Sequence, residues 1–440
     1  KYLTNNYPHS GTDTYVMFWE LALKISRLGG FTGYITPNTF LVTEGGQKIR
    51  RLLYEQTTYK TVMEAFDVFS DAIVETIVVV LQKGRPKNDY TFDGVLTARG
   101  KELFQDKLNS ALVLNFKAAD LVKRDDLIFN YREKNSEKVL YDKLRKQPLN
   151  LGTIAKITSG VKPYEVGKGT PPQTQDIVTN KPYTGFANID DAWKPVVRGG
   201  DVNRFSLRWS GEFIKYGPHL AAPRKPENFS KDKIFIRRTD DRVLAVLDND
   251  SYVGINSVHC LQIISPTEWD YKFITGLLNS SVMNWYFQHE NFHMVNKPLA
   301  EVKVVFIERL PIPNVTPAEQ QPFIDLAEQL LSGHRALHAA EATFAALLRA
   351  ELGLSAPLTG KLAPAQEWKP WSTALSTSLG RPLTLAEKSE WLPYHQQHQQ
   401  QQAVARQRLA RLDKELDALV YALYGLTPAE IALVEGSAAA

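Results

Sequence analysis

The residues best suited to chemistry lie between Lys215 and Arg242. That stretch holds eight Lys/Arg and four Asp/Glu, interleaved with Tyr216, His219, Phe229 and Phe235. Cationic side chains among turn-forming residues suit a surface that follows phosphate oxygens, and a solvated charged face has the same composition. Arg224 and Lys225 stand between Pro223 and Pro226, on a loop stiff enough to hold a basic head in place. Arg237 and Arg238 are neighbours in a strand-like run, so at most one faces a given side of a regular sheet. Asn256, Ser257 and His259 can hydrogen-bond base edges or cap turns within the chain. His289 and His293 have the four-residue spacing of a helical metal pair. In HENFH, however, no third ligand follows and the register differs from a zinc-hydrolase motif, so no metal is expected. Cys260 sits among Val258, Leu261 and Ile263 and reads as a buried structural thiol.

These side chains need elements to place them. Residues 151–313 break into short strand-like runs at 186–189, 196–198, 213–214, 233–237, 243–247, 252–254 and 258–264, separated by Gly, Pro and Asn. The first 110 residues read differently. A helix begins near Asp13, with Tyr15, Phe18, Ala22 and Ile25 spaced to share one face. Gly29-Gly30 supplies its exit, residues 31–36 form a strand, and Pro37 ends it. Residues 45–56 are helical and 59–65 form the next strand. The run 74–81, VETIVVVL, is apolar enough to be buried on both faces of a helix-covered sheet. Pro37 and Asn38 fall at the carboxyl end of a strand, where open α/β sheets place ligands, and Asn38 is also a common turn former. At the other end, capping boxes at Thr316/Glu319, Thr384/Glu387 and Thr427/Glu430 start three helices. The first runs to about residue 352 with a break near Gly333, and 353–383 reads as a spacer. The Gln/His tract 395–402 reads as solvated, while Leu409, Leu412, Leu416 and Leu419 form a helix-packing seam.

Size and charge set the outer bounds. A chain of 440 residues, 43% hydrophobic and 23% charged, holds two or three folded domains. A net charge of +4 permits a nucleic-acid partner without indicating one. One cysteine excludes an internal disulfide and a multi-cysteine zinc site. No run approaches the length of a transmembrane helix and no signal peptide is evident, so no membrane partner and a cytoplasmic location are expected. The sheet opens mid-pattern, and the native protein is expected to extend upstream.

Taken together, several segments resemble the latter half of an adenine-N6 DNA methyltransferase of the Eco57I/TaqI type. Asp13 and Tyr15 at a helix start, Gly29-Gly30, Thr36-Pro37-Asn38-Thr39-Phe40-Leu41, then residues 66–69 and the apolar strand follow that family's order. Arg198 to Phe205, which includes Arg204, resembles the first hallmark of the TaqI-type specificity domain. Residues 234–246 with 256–259, then 274–285 and 310–313, resemble the later ones.

The resemblance implies a fold: the C-terminal part of a class I (Rossmann-like) methyltransferase α/β sheet, an α+β DNA-specificity domain, and a helical C-terminal region. The corresponding boundaries are 1–110, a connector 111–150, 151–313 and 314–440. It also implies S-adenosyl-L-methionine as methyl donor and double-stranded DNA as partner. In that family a Gly-rich turn binds the cofactor and a Pro-Pro loop with an aromatic clamps the flipped adenine. Neither motif is present, and both are expected before Lys1. The chain alone is therefore expected to be inactive, completed by an N-terminal half or a separate catalytic subunit.

The same resemblance puts Phe69 near the extruded base, although a core aromatic fits that position equally. Asp13 and Tyr15 would lie at the active-site periphery with Pro37 and Asn38, and Asp13 also suits a first-turn carboxylate. Arg204, Lys215, Arg224, Lys225, Arg237, Arg238, Arg242, Asn256, Ser257, His293, Asn296 and Lys297 become the expected DNA contacts. A DNA-specificity subunit without catalysis, and part of a bifunctional nuclease-methyltransferase, remain open as alternatives.

Overall fold

The computed structural model describes residues 2–11, 13–66, 68, 75–84, 90–97, 103–122, 127–229, 232–295, 300–354, 358 and 360–438. They form two compact units, Lys1–Val139 and Leu140–Ala440.

In the first unit, α1 (Thr14–Ile25) leads to β1 (Phe31–Pro37), α2 (Gln47–Gln56) and β2 (Thr57–Glu64). Three more strands follow: β3 (Thr76–Lys83), β4 (Thr91–Leu96) and β5 (Leu112–Lys117). The sheet order is β1-β3-β2-β4-β5. β3 runs antiparallel to both β1 and β2, β2 and β4 are parallel, and β5 is antiparallel to β4. The α/β crossover β1–α2–β2 is present, with a strand inserted between its two members, so the sheet is mixed.

Two expectations need correction here. α1 buries Val16, Met17, Trp19, Ala22 and Leu23, while Phe18 and Ile25 face solvent. The helix is apolar on two sides, and the choice falls to Trp19, whose ring packs 5.0 Å from Tyr34 and 5.5 Å from Phe40. β3 is also sealed on one face only: Ile77, Val79 and Leu81 are buried, Val78 and Val80 half-buried. Among the described residues β1 pairs only with β3, so its outer edge is open, and Phe31 and Ile35 are exposed.

The second unit is α+β. Its strands include β6 (Ala155–Ser159), β7 (Thr184–Gly185), β8 (Trp193–Val197), β9 (Phe213–Lys215), β10 (Lys233–Arg237), β11 (Ala245–Asp248), β12 (Val253–Gly254) and β13 (Val258–Ile263). They make two four-stranded sheets, ordered β11-β10-β13-β6 and β12-β8-β9-β7. Lys233 pairs with Asp248 across β10 and β11 at 2.6 Å, both side chains fully buried. Cys260 is buried as expected, and burial pushes its thiol up to about 12. The expected strand at 186–189 is absent. β7 and β8 lie on opposite sides of β9, so the link between them must cross over rather than pair.

The helices of this unit include α3 (Tyr271–Asn279), α4 (Ser281–Glu290), α5 (Pro317–Leu352), α6 (Trp368–Leu379), α7 (Leu385–Leu423) and α8 (Pro428–Ala438). All three capping boxes form: Thr316, Thr384 and Thr427 each exchange hydrogen bonds with the glutamate three residues on. α5 is unbroken at Gly333; a Cβ there would lie 2.7 Å from Leu409 Cδ2, so the glycine admits α7 closely rather than ending the helix. The seam of α7 reaches beyond its leucines. Trp391, His395, His398 and Gln402 continue the spacing of Leu409, Leu412 and Leu416, and all are buried. The Gln/His tract is thus an amphipathic stretch of helix, with His395, His398 and Gln402 in the seam and Gln396, Gln397, Gln400 and Gln401 solvated as expected. α6 occupies part of the expected spacer and closes a small core with Phe344, Leu348 and Trp391.

Candidate nucleic-acid interface

The candidate contacts in the second unit divide into two places. The first is a rim at the end of β10. Ile234, Phe235 and Ile236 are fully buried, and the strand emerges from the core at Arg237. Beyond it the two arginines diverge. Arg237 Nε donates to the Thr239 carbonyl at 2.9 Å, with Asp240 3.8 Å away. Arg238 donates through Nε and Nη2 to Glu301 Oε1, at 3.0 and 2.6 Å, and through Nη1 to the Asn256 carbonyl at 2.9 Å. The guanidinium is thus held in place before any ligand arrives.

Asn256 and Ser257 enter the same rim from the turn before β13. The Arg238 N–H donates to the Ser257 carbonyl at 3.0 Å, and the Asn256 N–H to the Val161 carbonyl at 2.7 Å. Ser257 Oγ accepts from the Gly199 N–H at 2.9 Å. Gly199 is the residue that sequence reasoning undervalued. A Cβ there would sit 2.8 Å from the Ser257 carbonyl oxygen, so only glycine lets the two turns approach this closely. Arg224 joins from a loop with φ +62°, its Nε 3.3 Å from the Gly160 carbonyl and its own carbonyl accepting from Tyr216 Oη at 2.9 Å. Gly160 in turn donates to the Val258 carbonyl at 3.0 Å. His259 lies behind this rim: its ring bonds the Val302 carbonyl at 2.7 Å and is buried, which lowers its pKa, so it packs rather than binds.

Arg204 and Arg242 go elsewhere. Arg204 donates to Asp413 Oδ1 at 3.1 and 2.5 Å, and Asp417 lies 3.7 Å away. Asp417 also accepts from the N–H and Oγ of Ser281, at 2.8 and 2.7 Å, so Arg204 ties the β-rich part to α7 and α4. Arg204 and Arg242 both line a small cavity with Ser281, Asn284 and Trp285. A larger one, about 640 Å³, is lined by Arg204, Arg208, His334, His338, Glu341 and Arg406. Burial, then the neighbouring His338 and Arg204, hold His334 down to about 4. Lys215 and Lys225 are exposed on β9 and on the loop after Arg224. Asn296 and Lys297 lie outside the described residues, and for His293 the description covers only its backbone in the turn Phe292–Met294.

In the first unit the candidate periphery is a hydrogen-bonded polar cluster at the carboxyl end of β1 and β2, beside the buried Thr36 Oγ1, which has no partner among the described residues. Asn38 is buried, and its Nδ2 donates to Glu75 Oε2 at 3.1 Å and Tyr131 Oη at 3.4 Å. Burial pushes the Tyr131 phenol up to about 12. Arg132 donates to Glu64 Oε1 at 2.5 Å and lies over the Phe66 ring. Pro37 ends β1 opposite Thr76. Tyr15 Oη and Thr39 Oγ1 are 2.5 Å apart, and Asp13 is an exposed N-cap whose side chain makes no cap bond. Phe69 lies outside the described residues. Tyr131 and Arg132 were not marked by any motif, since their partners lie more than sixty residues away in the sequence.

A mixed sheet followed by an α+β unit that carries an arginine rim defines the architecture: two compact units on one chain. Residues 194–312 match the family of the TaqI-like C-terminal specificity domain, and residues 1–69 the Eco57I restriction-modification methylase. The chain is homologous to restriction-modification methyltransferase domains over those two segments. Residues 316–420 match a domain of unknown function.

Among curated proteins, the chain is similar to RM.MjaORFECS2P of Methanocaldococcus jannaschii, whose name describes a type II restriction enzyme and methyltransferase. The two are 21% identical over 312 residues, 68% of this chain and 25% of that protein. The chain therefore spans about a quarter of that relative's length. Among solved structures it is similar to the type ISP restriction-modification enzyme LlaGI in complex with a DNA substrate mimic. There the TM-score is 0.43 and identity 9%, over 76% of this chain and 32% of that one. For the type IIL enzyme MmeI in complex with DNA the TM-score is 0.42 and identity 10%, over 91% and 54%. Likenesses this loose define no shared activity.

Proposed function

We propose that this chain is the DNA-reading and partial catalytic portion of a site-specific adenine-N6 DNA methyltransferase in a restriction-modification system. The observation that carries the reading is the rim itself. Gly199, Arg224, Arg237, Arg238, Asn256 and Ser257, scattered over sixty residues, converge inside the segment that matches a specificity domain. Arg237, Arg238 and Arg224 meet phosphates, with Arg238 held ready by Glu301 and the Asn256 carbonyl, while Asn256 and Ser257 offer hydrogen bonds to base edges. The four-part division at residues 110, 150 and 313 is kept as part of the proposal, with the connector 111–150 spanning the boundary between the two units at Val139 and Leu140.

Catalysis on this reading needs chain beyond the described residues. S-adenosyl-L-methionine supplies the methyl group in such enzymes, but the described residues of the first unit do not fit as its cradle. Glu64 and Glu75 are engaged by Arg132 and Asn38, and the Gly29 and Gly30 N–H groups donate to the carbonyls of Lys83 and Arg27. The open edge of β1, flanked by exposed Phe31 and Ile35, supports completion of the sheet by an N-terminal half or a separate catalytic subunit. A cytoplasmic location is part of the same proposal; among the described residues no helix is long and apolar enough to cross a membrane.

Duplex binding measured by fluorescence anisotropy from about 50 to about 200 mM salt tests the reading, with affinity expected to fall steeply across that range. Arg238→Ala should lower the slope of log affinity against log salt by about one. Absent or salt-insensitive binding by the wild-type chain would sink the DNA-reading role. Methyl transfer by this chain alone would refute the partial-catalysis role.

A further inference from the structure

The link between β7 and β8 carries two large apolar side chains that the fold leaves unused. Phe186 is 77% exposed and Ile189 69% exposed, three residues apart on a loop that crosses over β9. A single exposed apolar residue is ordinary, but two on one short crossover expose area that packing could have hidden.

The base under this loop is rigid. Tyr183, just before β7, is stacked on Tyr164 at 5.7 Å and 9°, and the His219 ring packs 4.3 Å from it. Its N–H donates to Tyr164 Oη at 2.7 Å, and its carbonyl accepts from the Lys215 N–H at 2.9 Å. On the far side Trp193 is buried and its N–H donates to the Asp190 carbonyl at 3.0 Å; the Ala192 carbonyl accepts from the Tyr216 N–H at 2.8 Å. Asp190 Oδ1 accepts from the Ala192 N–H at 2.8 Å, which turns that carboxylate onto its own loop. Both roots are therefore held by β9 and the residue after it, and the apolar tip projects between them. Exposed Lys181, Lys194 and Lys215 flank the roots, against exposed Asp190 and Asp191.

We propose that Phe186 and Ile189 form an apolar wedge that enters duplex DNA at a base step. Lys181, Lys194 and Lys215 would meet the phosphates on either side. Apolar side chains of this kind unstack a step and bend the duplex, and a fixed base is what lets them do so without first ordering a loop. The inference rests on the DNA-reading role and adds a contact in residues 186–189, outside the segment matched by the specificity-domain family. Cations at the loop roots favour a polyanionic partner over an apolar protein surface.

The probe is a duplex enriched from a randomised pool by the wild-type chain, resynthesised with 2-aminopurine at each adenine position in turn. Wild-type binding should raise the fluorescence at one step. Phe186→Ala should remove that rise and weaken binding roughly tenfold, the loss of about one base–aromatic stack, with the salt slope unchanged. Ile189→Ala should reduce the rise, and Phe186→Trp should restore it. Both positions are exposed, so the variants should keep the wild-type circular dichroism. If the wild type enriches a sequence but Phe186→Ala leaves affinity and fluorescence unchanged, the wedge is refuted while DNA reading stands. If nothing is enriched, the DNA-reading role itself fails and takes the wedge with it. If the wild-type chain self-associates and Phe186→Ala with Ile189→Ala disperses it without affecting DNA binding, the patch is a protein interface and the wedge is overturned.

Discussion

His395 offers the sharpest test of how the helical arm is held together. Its side chain is fully buried in α7, 4.2 Å from the Trp371 ring and 5.6 Å from Trp368, and neither ring nitrogen has a hydrogen-bond partner among the described residues. Burial, then the neighbouring His398, hold its pKa down to about 4. Glu341 on α5 and Arg406 on α7 act on His398 in opposite senses, the first raising and the second lowering its pKa.

A histidine whose pKa is lowered on folding takes up its proton first in the unfolded state. Its contribution is therefore fully present above about pH 6.5, is lost as the pH falls toward 4, and is flat below that. The drop from 6.5 to about 4 corresponds to about 3 kcal/mol. The perturbation is His395→Leu, which fills the site without a titratable group. The assay is amide hydrogen exchange of peptides spanning residues 368–379 and 385–402, corrected for intrinsic rates, from about pH 7 to about pH 4. Relative to the difference at the upper end of that window, wild-type protection should fall against the variant by up to about 3 kcal/mol across it. A wild-type-to-variant difference that does not change with pH would refute the reasoning, because it would mean that the ring finds a proton acceptor in the folded arm.

Two further substitutions follow from contacts described above. Gly199→Ala puts a methyl 2.8 Å from the Ser257 carbonyl. The turn must retreat by a few tenths of an ångström, at a cost of about 1–3 kcal/mol in stability by urea titration. DNA affinity should fall with an unchanged salt slope, because no cation is removed. Lys233→Met strands Asp248 as a buried charge and should cost about 3–5 kcal/mol, whereas the double variant with Asp248→Leu should recover most of it. A double variant no more stable than Lys233→Met would show that packing, not charge, holds β10 to β11.

The local signals in this chain were legible because their causes are local. Each capping box is closed by residues three apart, so Thr316, Thr384 and Thr427 start helices whatever surrounds them. The run 76–83 is a strand because β-branched residues dominate it, and Leu409, Leu412 and Leu416 pack because one helix face holds them. Where one stretch offers two surfaces, the neighbour decides. α1 buries Trp19 and Leu23 rather than Phe18 and Ile25 because of where Tyr34 and Phe40 lie.

Residue type alone also misleads. His395, His398 and Gln402 are polar yet belong to a buried seam, since spacing along α7 outweighs polarity once α5 and α6 are present. Phe186 and Ile189 look strand-forming, yet the strand order turns their segment into a crossover. The rim behaves in the same way. The sequence by itself determined that Arg237, Arg238 and Asn256 were candidates, from charge and hydrogen-bonding capacity. Only the tertiary structure brought them to Gly199 and Arg224 and sent Arg204 to Asp413, because hydrogen bonds and ion pairs form between groups that are close in space, whatever their separation along the chain.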